Sequence, residues 1–318
     1  VKSLVNWLPA QVDRRVRIAA WATLVSQILI IGTGGAVRLT GSGLGCPTWP
    51  RCTEESFVAT AEMGVHGIIE FGNRLLTFLL IIIALVTFAF VLRMRRERPE
   101  LFRLAVVIGL GIPAQAVLGG ITVLTNLNPY VVGLHYVLSA VLVGLASVLL
   151  YRVRVGPQTR LWSAPTGVRF ASVAMFGVLG ISILMGVLTT GSGPHAGDGG
   201  AARNGLDSEF LQHLHSWPSY LALTLTAALT VFAWSSPSVS ARYRRSITAL
   251  LLLTGVQIAV GLYQARNGLP ELLVGIHLVL AAVLVAVAVS VVLSLRLERS
   301  TEQEAGRAPL RQTAASSR

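Results

Sequence analysis

The chain contains 6 histidines, and several of them stand where only apolar side chains would be expected. His135 sits in Val132-Gly133-Leu134-His135-Tyr136-Val137-Leu138-Ser139-Ala140, and His277 sits in the nearly identical run Val274-Gly275-Ile276-His277-Leu278-Val279-Leu280-Ala281-Ala282. Gln115 precedes His135 by the interval that separates Gln257 from His277, and Gly119 matches Gly261 in the same register. Thr40-Gly41-Ser42-Gly43 returns as Thr190-Gly191-Ser192-Gly193. Self-similarity at about half the chain length indicates one unit written twice.

Two further stretches carry ionisable groups. In His66-Gly67-Ile68-Ile69-Glu70-Phe71-Gly72-Asn73-Arg74 the spacing places His66, Glu70 and Asn73 on one helical face. A carboxylate among apolar residues is costly unless it is paired or working, so Glu70 is a functional candidate, and an ion pair with Arg74 is the structural alternative. In Gln212-His213-Leu214-His215 the two imidazoles point to roughly opposite sides of a helix, about 200° apart. Laying Ser219-Tyr220-Leu221 over Thr77-Phe78-Leu79 matches His215 with Asn73 and turns His215 inward, with His213 as the other candidate. Imidazoles paired from facing helices of a bundle hold haem iron from both sides. A bare zinc site would need further ligands beside each histidine. Each half is therefore expected to hold one porphyrin on its histidines, with propionates turned toward Arg38, Arg74 or the adjoining loops. His195, in a glycine-rich connection, is expected to serve loop structure or a propionate.

The elements that must position these groups are membrane helices. Hydrophobic residues make up 53% of the 318-residue chain and charged residues 13%, and the mean hydropathy is +0.68, the balance of a multi-spanning membrane protein. Eight apolar runs are long enough to cross a hydrocarbon layer of about 30 Å: Val16 to Val37, Met63 to Leu92, Phe102 to Leu124, Val131 to Tyr151, Val168 to Thr190, Leu211 to Ala233, Ile247 to Gln264 and Leu272 to Leu295. None shows the alternation of a barrel strand. The expected fold is all-α, with two pseudo-symmetric, parallel four-helix bundles over residues 1–155 and 156–299 and a disordered cytoplasmic tail at 300–318. Most of the 26 Lys and Arg residues cluster at the N-terminus, in alternate connections and in the tail, which places those segments and both termini in the cytoplasm. The first helix reads as a retained span. The net charge of +12 is scattered over short connections and forms no stripe, which argues against nucleic-acid binding and leaves membrane lipids as the surroundings.

The connection after the first helix, Arg38-Leu39-Thr40-Gly41-Ser42-Gly43-Leu44-Gly45-Cys46-Pro47-Thr48-Trp49-Pro50-Arg51-Cys52, holds both cysteines of the chain. On the outer side of a membrane thiols oxidise, so Cys46 and Cys52 are expected to form a disulfide, structural or redox-active, with a metal-binding pair as the alternative.

This loop, the run Ile69-Glu70-Phe71-Gly72-Asn73-Arg74, and single histidines in the fourth, sixth and eighth helices together resemble haem A synthase of bacterial cytoplasmic membranes. The resemblance extends to about Leu295. It implies oxidation of the C8 methyl of haem O to a formyl group, yielding haem A for haem-copper terminal oxidases. It also implies a haem b on His215 and His277, haem O as substrate in the N-terminal half, Glu70 as the catalytic carboxylate, and Cys46 and Cys52 as the paired loop cysteines. Haem O synthase, terminal-oxidase assembly factors and an electron donor such as a quinone are the implied partners. The family pattern Glu-x-x-His-Arg is broken here, because Asn73 stands where the histidine belongs. Either His66, on the same face, replaces it, or His135 is the single protein ligand of the substrate iron. The competing reading is a di-haem b-type cytochrome that passes electrons from a quinone to a partner.

Overall fold

The computed structural model describes residues 7–162 and 164–298. In hydrocarbon, backbone N–H and C=O groups find partners only within a helix or a closed barrel, and each apolar run has become a helix. These are α1 Arg14–Leu39, α2 Gly64–Leu92, α3 Pro99–Leu124, α4 Pro129–Val155, α5 Thr166–Ser192, α6 Ser208–Ser235, α7 Ala241–Arg266 and α8 Glu271–Leu293. All eight are long and apolar enough to span a membrane, so the chain is a multi-pass helical membrane protein. The tail at 300–318 lies outside the described residues.

Polar caps carry several helices past the ends of their apolar runs. Asp13 accepts the Val16 N–H at 3.1 Å, Asp207 that of Phe210 at 2.7 Å, and Ser240 that of Tyr243 at 3.1 Å. Each cap satisfies an end-group that the helix cannot. The Ser240 cap starts α7 at Ala241, so the basic turn before Ile247 is helical. One element lay beyond the helical reading: Gln158–Trp162 and Arg296–Glu298 form a short antiparallel ribbon joining the connection after α4 to the segment after α8. The Arg169 and Arg296 guanidiniums lie over the Trp162 ring at 5.1 and 4.7 Å, a cation–π arrangement.

Consecutive helices pack side by side from α1 to α4, and α1 also packs on α4. The same closure joins α5 through α8, and α8 lies against α1 and α4. Small residues allow this last approach: a Cβ at Gly32 or Gly35 would stand 3.0 Å from Val279 or Leu278. Ser147 adds a hydrogen bond of 2.8 Å to the Ala286 carbonyl.

The large apolar clusters fill only one end. In the first half the core gathers Val16, Leu24, Val91, Met94, Leu101, Leu149 and Val153, and in the second Met175, Leu229, Tyr243, Ile247, Leu250 and Val291. Both sit toward the end where α1 begins and α8 finishes. The opposite end carries the cysteine loop, and all the candidate histidines stand toward it.

Candidate functional site

In the second half the histidines meet. His215 on α6 and His277 on α8 have ring centroids 6.1 Å apart, inclined at 77°. The His215 Nδ1 lies 2.8 Å from the Ser182 carbonyl of α5. A carbonyl only accepts, so Nδ1 carries the proton and Nε2 keeps its lone pair. Both rings rest on glycines: a Cβ at Gly186 would stand 2.9 Å from His215, and one at Gly261 3.1 Å from His277. Gln257 donates to the His277 carbonyl at 3.1 Å, and the His277 Nδ1 is buried without a protein partner among the described residues. His213 points away, exposed, with Nδ1 at 2.9 Å from the Glu209 carbonyl. Rotation about α6 therefore turns His215 toward α8 and His213 away from it.

The first half repeats part of this frame. Gln115 donates to the His135 carbonyl at 3.0 Å, a Cβ at Gly119 would stand 3.3 Å from the His135 ring, and His135 Nδ1 is again buried and unpartnered. The facing position differs. Asn73 accepts a 2.8 Å hydrogen bond from Thr33 of α1. His66 is exposed, with Nδ1 at 2.9 Å from Ser42 Oγ. Among the described residues His66 and His135 make no ring contact like that of His215 and His277.

The cysteine loop is bolted to α2. Cys46 and Cys52 form a disulfide with Cα atoms 4.4 Å apart, which removes the metal-pair alternative. Glu70, 5% exposed, accepts the Cys46 N–H through Oε2 at 2.6 Å and the Arg74 guanidinium through Oε1 at 2.5 Å. Arg74 also donates to the carbonyls of Cys46, Thr48 and Arg51 at 3.0 to 3.1 Å. All five of its N–H groups are thus committed, and none remains for a propionate. Arg38 reaches from α1 across to the second half, donating to the His195 carbonyl at 2.6 Å and the Thr190 carbonyl at 2.9 Å, and keeps Nη1 without a protein partner among the described residues. The loops of the two halves also meet directly, where the Gly43 N–H donates to the Gly197 carbonyl at 2.8 Å.

Sequence reasoning missed the groups that act on the histidines through their backbone or through hydroxyls: the Ser182 carbonyl and Ser42 Oγ. It also missed Trp49, which lies on Gly120 of α3. The Gly119 and Gly261 pairing had been visible as repetition, without its steric meaning.

These contacts fit a haem in the second half. Two imidazoles sharing one axial metal at roughly 2 Å per bond place their centroids roughly 6 Å apart, close to the separation found. The glycines beneath both rings let the imidazoles lie against α5 and α7, where any larger side chain would displace them. No group of three or more His, Cys, Asp or Glu is placed to hold a bare metal ion among the described residues.

Fold and site together define a multi-pass helical membrane protein with facing histidines at one end of its helices. The profile of the COX15-CtaA family, described as cytochrome oxidase assembly protein, matches residues 17–196, and the chain belongs to that family. Relatives named heme A synthase include those of Geobacillus thermodenitrificans, 30% identical over 152 residues, and Bacillus pumilus (strain SAFR-032), 35% identical over 143 residues. These matches cover 47% of both chains in the first case, and 43% of this chain and 44% of the relative in the second. The matched part thus spans about half the length of these relatives. The resemblance read from the loop and the histidines is borne out by relatives carrying that name.

Proposed function

We propose that the protein is a haem A synthase of the bacterial plasma membrane, with both termini cytoplasmic. Residues 1–155 form the substrate bundle and 156–299 the cofactor bundle. The observation that carries this reading is the inequality of the halves: a facing histidine pair in one, and in the other the same Gln, Gly and His with Asn73 opposite. A permanent cofactor wants a ligand on each side, whereas a substrate must be released. Two permanent haems, as in an electron-passing cytochrome, would need no such inequality.

His215 and His277 hold haem b, which supplies one-electron transfer when bound. His135 carries the iron of haem O, and Arg38, through its unpartnered Nη1, is the propionate partner. Turning the methyl into a formyl group consumes one water and releases four electrons and four protons, so a proton acceptor must stand near the reacting carbon. Glu70 has that role. Its partners are all donors, so its oxygens are acceptors, and one buried carboxylate joins the chemistry to the loop that covers it. Haem O synthase and the terminal-oxidase assembly machinery are its neighbours, and a quinone, reduced to quinol in each of the two two-electron oxidations, is the acceptor that takes up the four electrons.

Membranes expressing the chain with a haem O supplier are expected to yield haem A on acid-acetone extraction, and membranes lacking the chain only haem O. Haem b alone, with haem O unconverted, would instead mark an electron-transfer cytochrome. His66, exposed and bonded through Nδ1 to Ser42 Oγ, is the other imidazole on that face of α2. His66→Ala is expected to leave the haem O spectrum unchanged, with the iron held by His135 alone. Conversion of a six-coordinate, low-spin spectrum to a five-coordinate one would instead make His66 a second ligand.

A further inference from the structure

We propose that Trp49 is the roof of the first-half site and sets how tightly the substrate haem is held there, an inference that rests on the placement of haem O on His135. The Trp49 indole lies so close to Gly120 of α3 that any Cβ at that position would run into the ring. The preceding residue, Gly119, is the one on which the His135 imidazole rests, at 3.3 Å from where its Cβ would stand. Adjacent helical residues differ by about 100° and 1.5 Å of rise, so indole and imidazole share one level of α3. A macrocycle held at His135 would be far wider than an imidazole, wide enough to reach toward the indole at that level of α3.

The seat exists in one half only. In the register that matches Gly119 with Gly261, Gly120 matches Leu262, and the connection between α5 and α6 contains no tryptophan. The indole is also held in advance. The disulfide spans its segment, Arg74 holds the Thr48 carbonyl at 3.1 Å, and Thr48 Oγ1 donates to the Arg51 carbonyl at 2.9 Å. A pre-positioned aromatic face excludes water and stacks on a flat apolar ligand without further ordering.

The test uses the full chain in detergent with its haem b retained. Reduced haem O is bound, and its release to excess apomyoglobin is timed. Trp49→Ala and Gly120→Ala are each expected to speed release about 10-fold, Trp49→Phe far less, and the double variant no more than either single one. Intact b-type Soret absorbance and the absence of free thiol confirm that bundle and loop are preserved, and Gly120→Ala tests the seat with the loop sequence untouched. Release rates within 2-fold of the unaltered protein, or additive effects of the two substitutions, overturn the roof. If the unaltered protein fails to bind haem O saturably, the substrate assignment falls first and the roof falls with it.

Discussion

His277→Ala is expected to abolish most of the b-type Soret absorbance of the purified protein while leaving the eight helices folded. His277 is one side of the 6.1 Å imidazole pair, whereas α8 packs against α1 and α4 through the neighbouring side chains Leu278 and Val279, against Gly35 and Gly32, and through the Ala286 carbonyl bonded to Ser147, none of which is the imidazole itself. Truncation therefore removes one axial ligand without touching the seam between the halves. A metal-ligand loss of this kind costs far more than the packing of one imidazole, so the pigment and not the fold records it. Measured by reduced-minus-oxidised difference spectra at equal protein, haem b is expected to fall at least 10-fold. A retained low-spin spectrum would show that His277 is not an axial ligand. The companion variant His213→Ala should leave the spectrum unchanged, because that ring is exposed and turned from His277.

The second large effect separates two things that Glu70 does. Its oxygens are bonded to Arg74 and to the Cys46 N–H, so it fastens the cysteine loop whatever its chemistry. Removing one partner of such a buried pair costs about 3 kcal/mol, a cost borne by the loop. Arg74→Gln breaks the same pair and in addition releases three loop carbonyls. If Glu70 only fastens, Arg74→Gln is the more damaging change. If Glu70 also accepts a proton from the substrate, Glu70→Gln loses haem A formation by about 100-fold more than Arg74→Gln, with haem b content unaltered in both. Equal losses would reduce Glu70 to a fastener. The measurement is haem A formed per unit haem b in membranes supplied with haem O.

The halves of the molecule were not equally legible in the sequence. The eight spans, the duplicated Gln-Gly-His frame and the disulfide partners could be read directly, because each rests on local composition or on repetition. Arg38 and Arg74 could not be assigned from sequence. Both stand at helix ends near the expected sites, and only the loop paths show that Arg74 spends its five donors on Glu70 and three carbonyls, while Arg38 reaches the opposite half. Backbone carbonyls carry no residue signature, so the anchoring of His215 by Ser182 was equally hidden.

By itself the sequence determined what the bilayer demands: which segments are helical, where the histidines stand along them, and that one half lacks the histidine that the other retains. Those are consequences of apolar length and of one-dimensional spacing. The tertiary structure decided which rings face one another, which cations are already engaged, and that Trp49 settles on Gly120 beside His135. Each of these depends on helix rotation and loop path. Residues far apart in the chain set both, through steric fit and hydrogen bonding that no local pattern encodes.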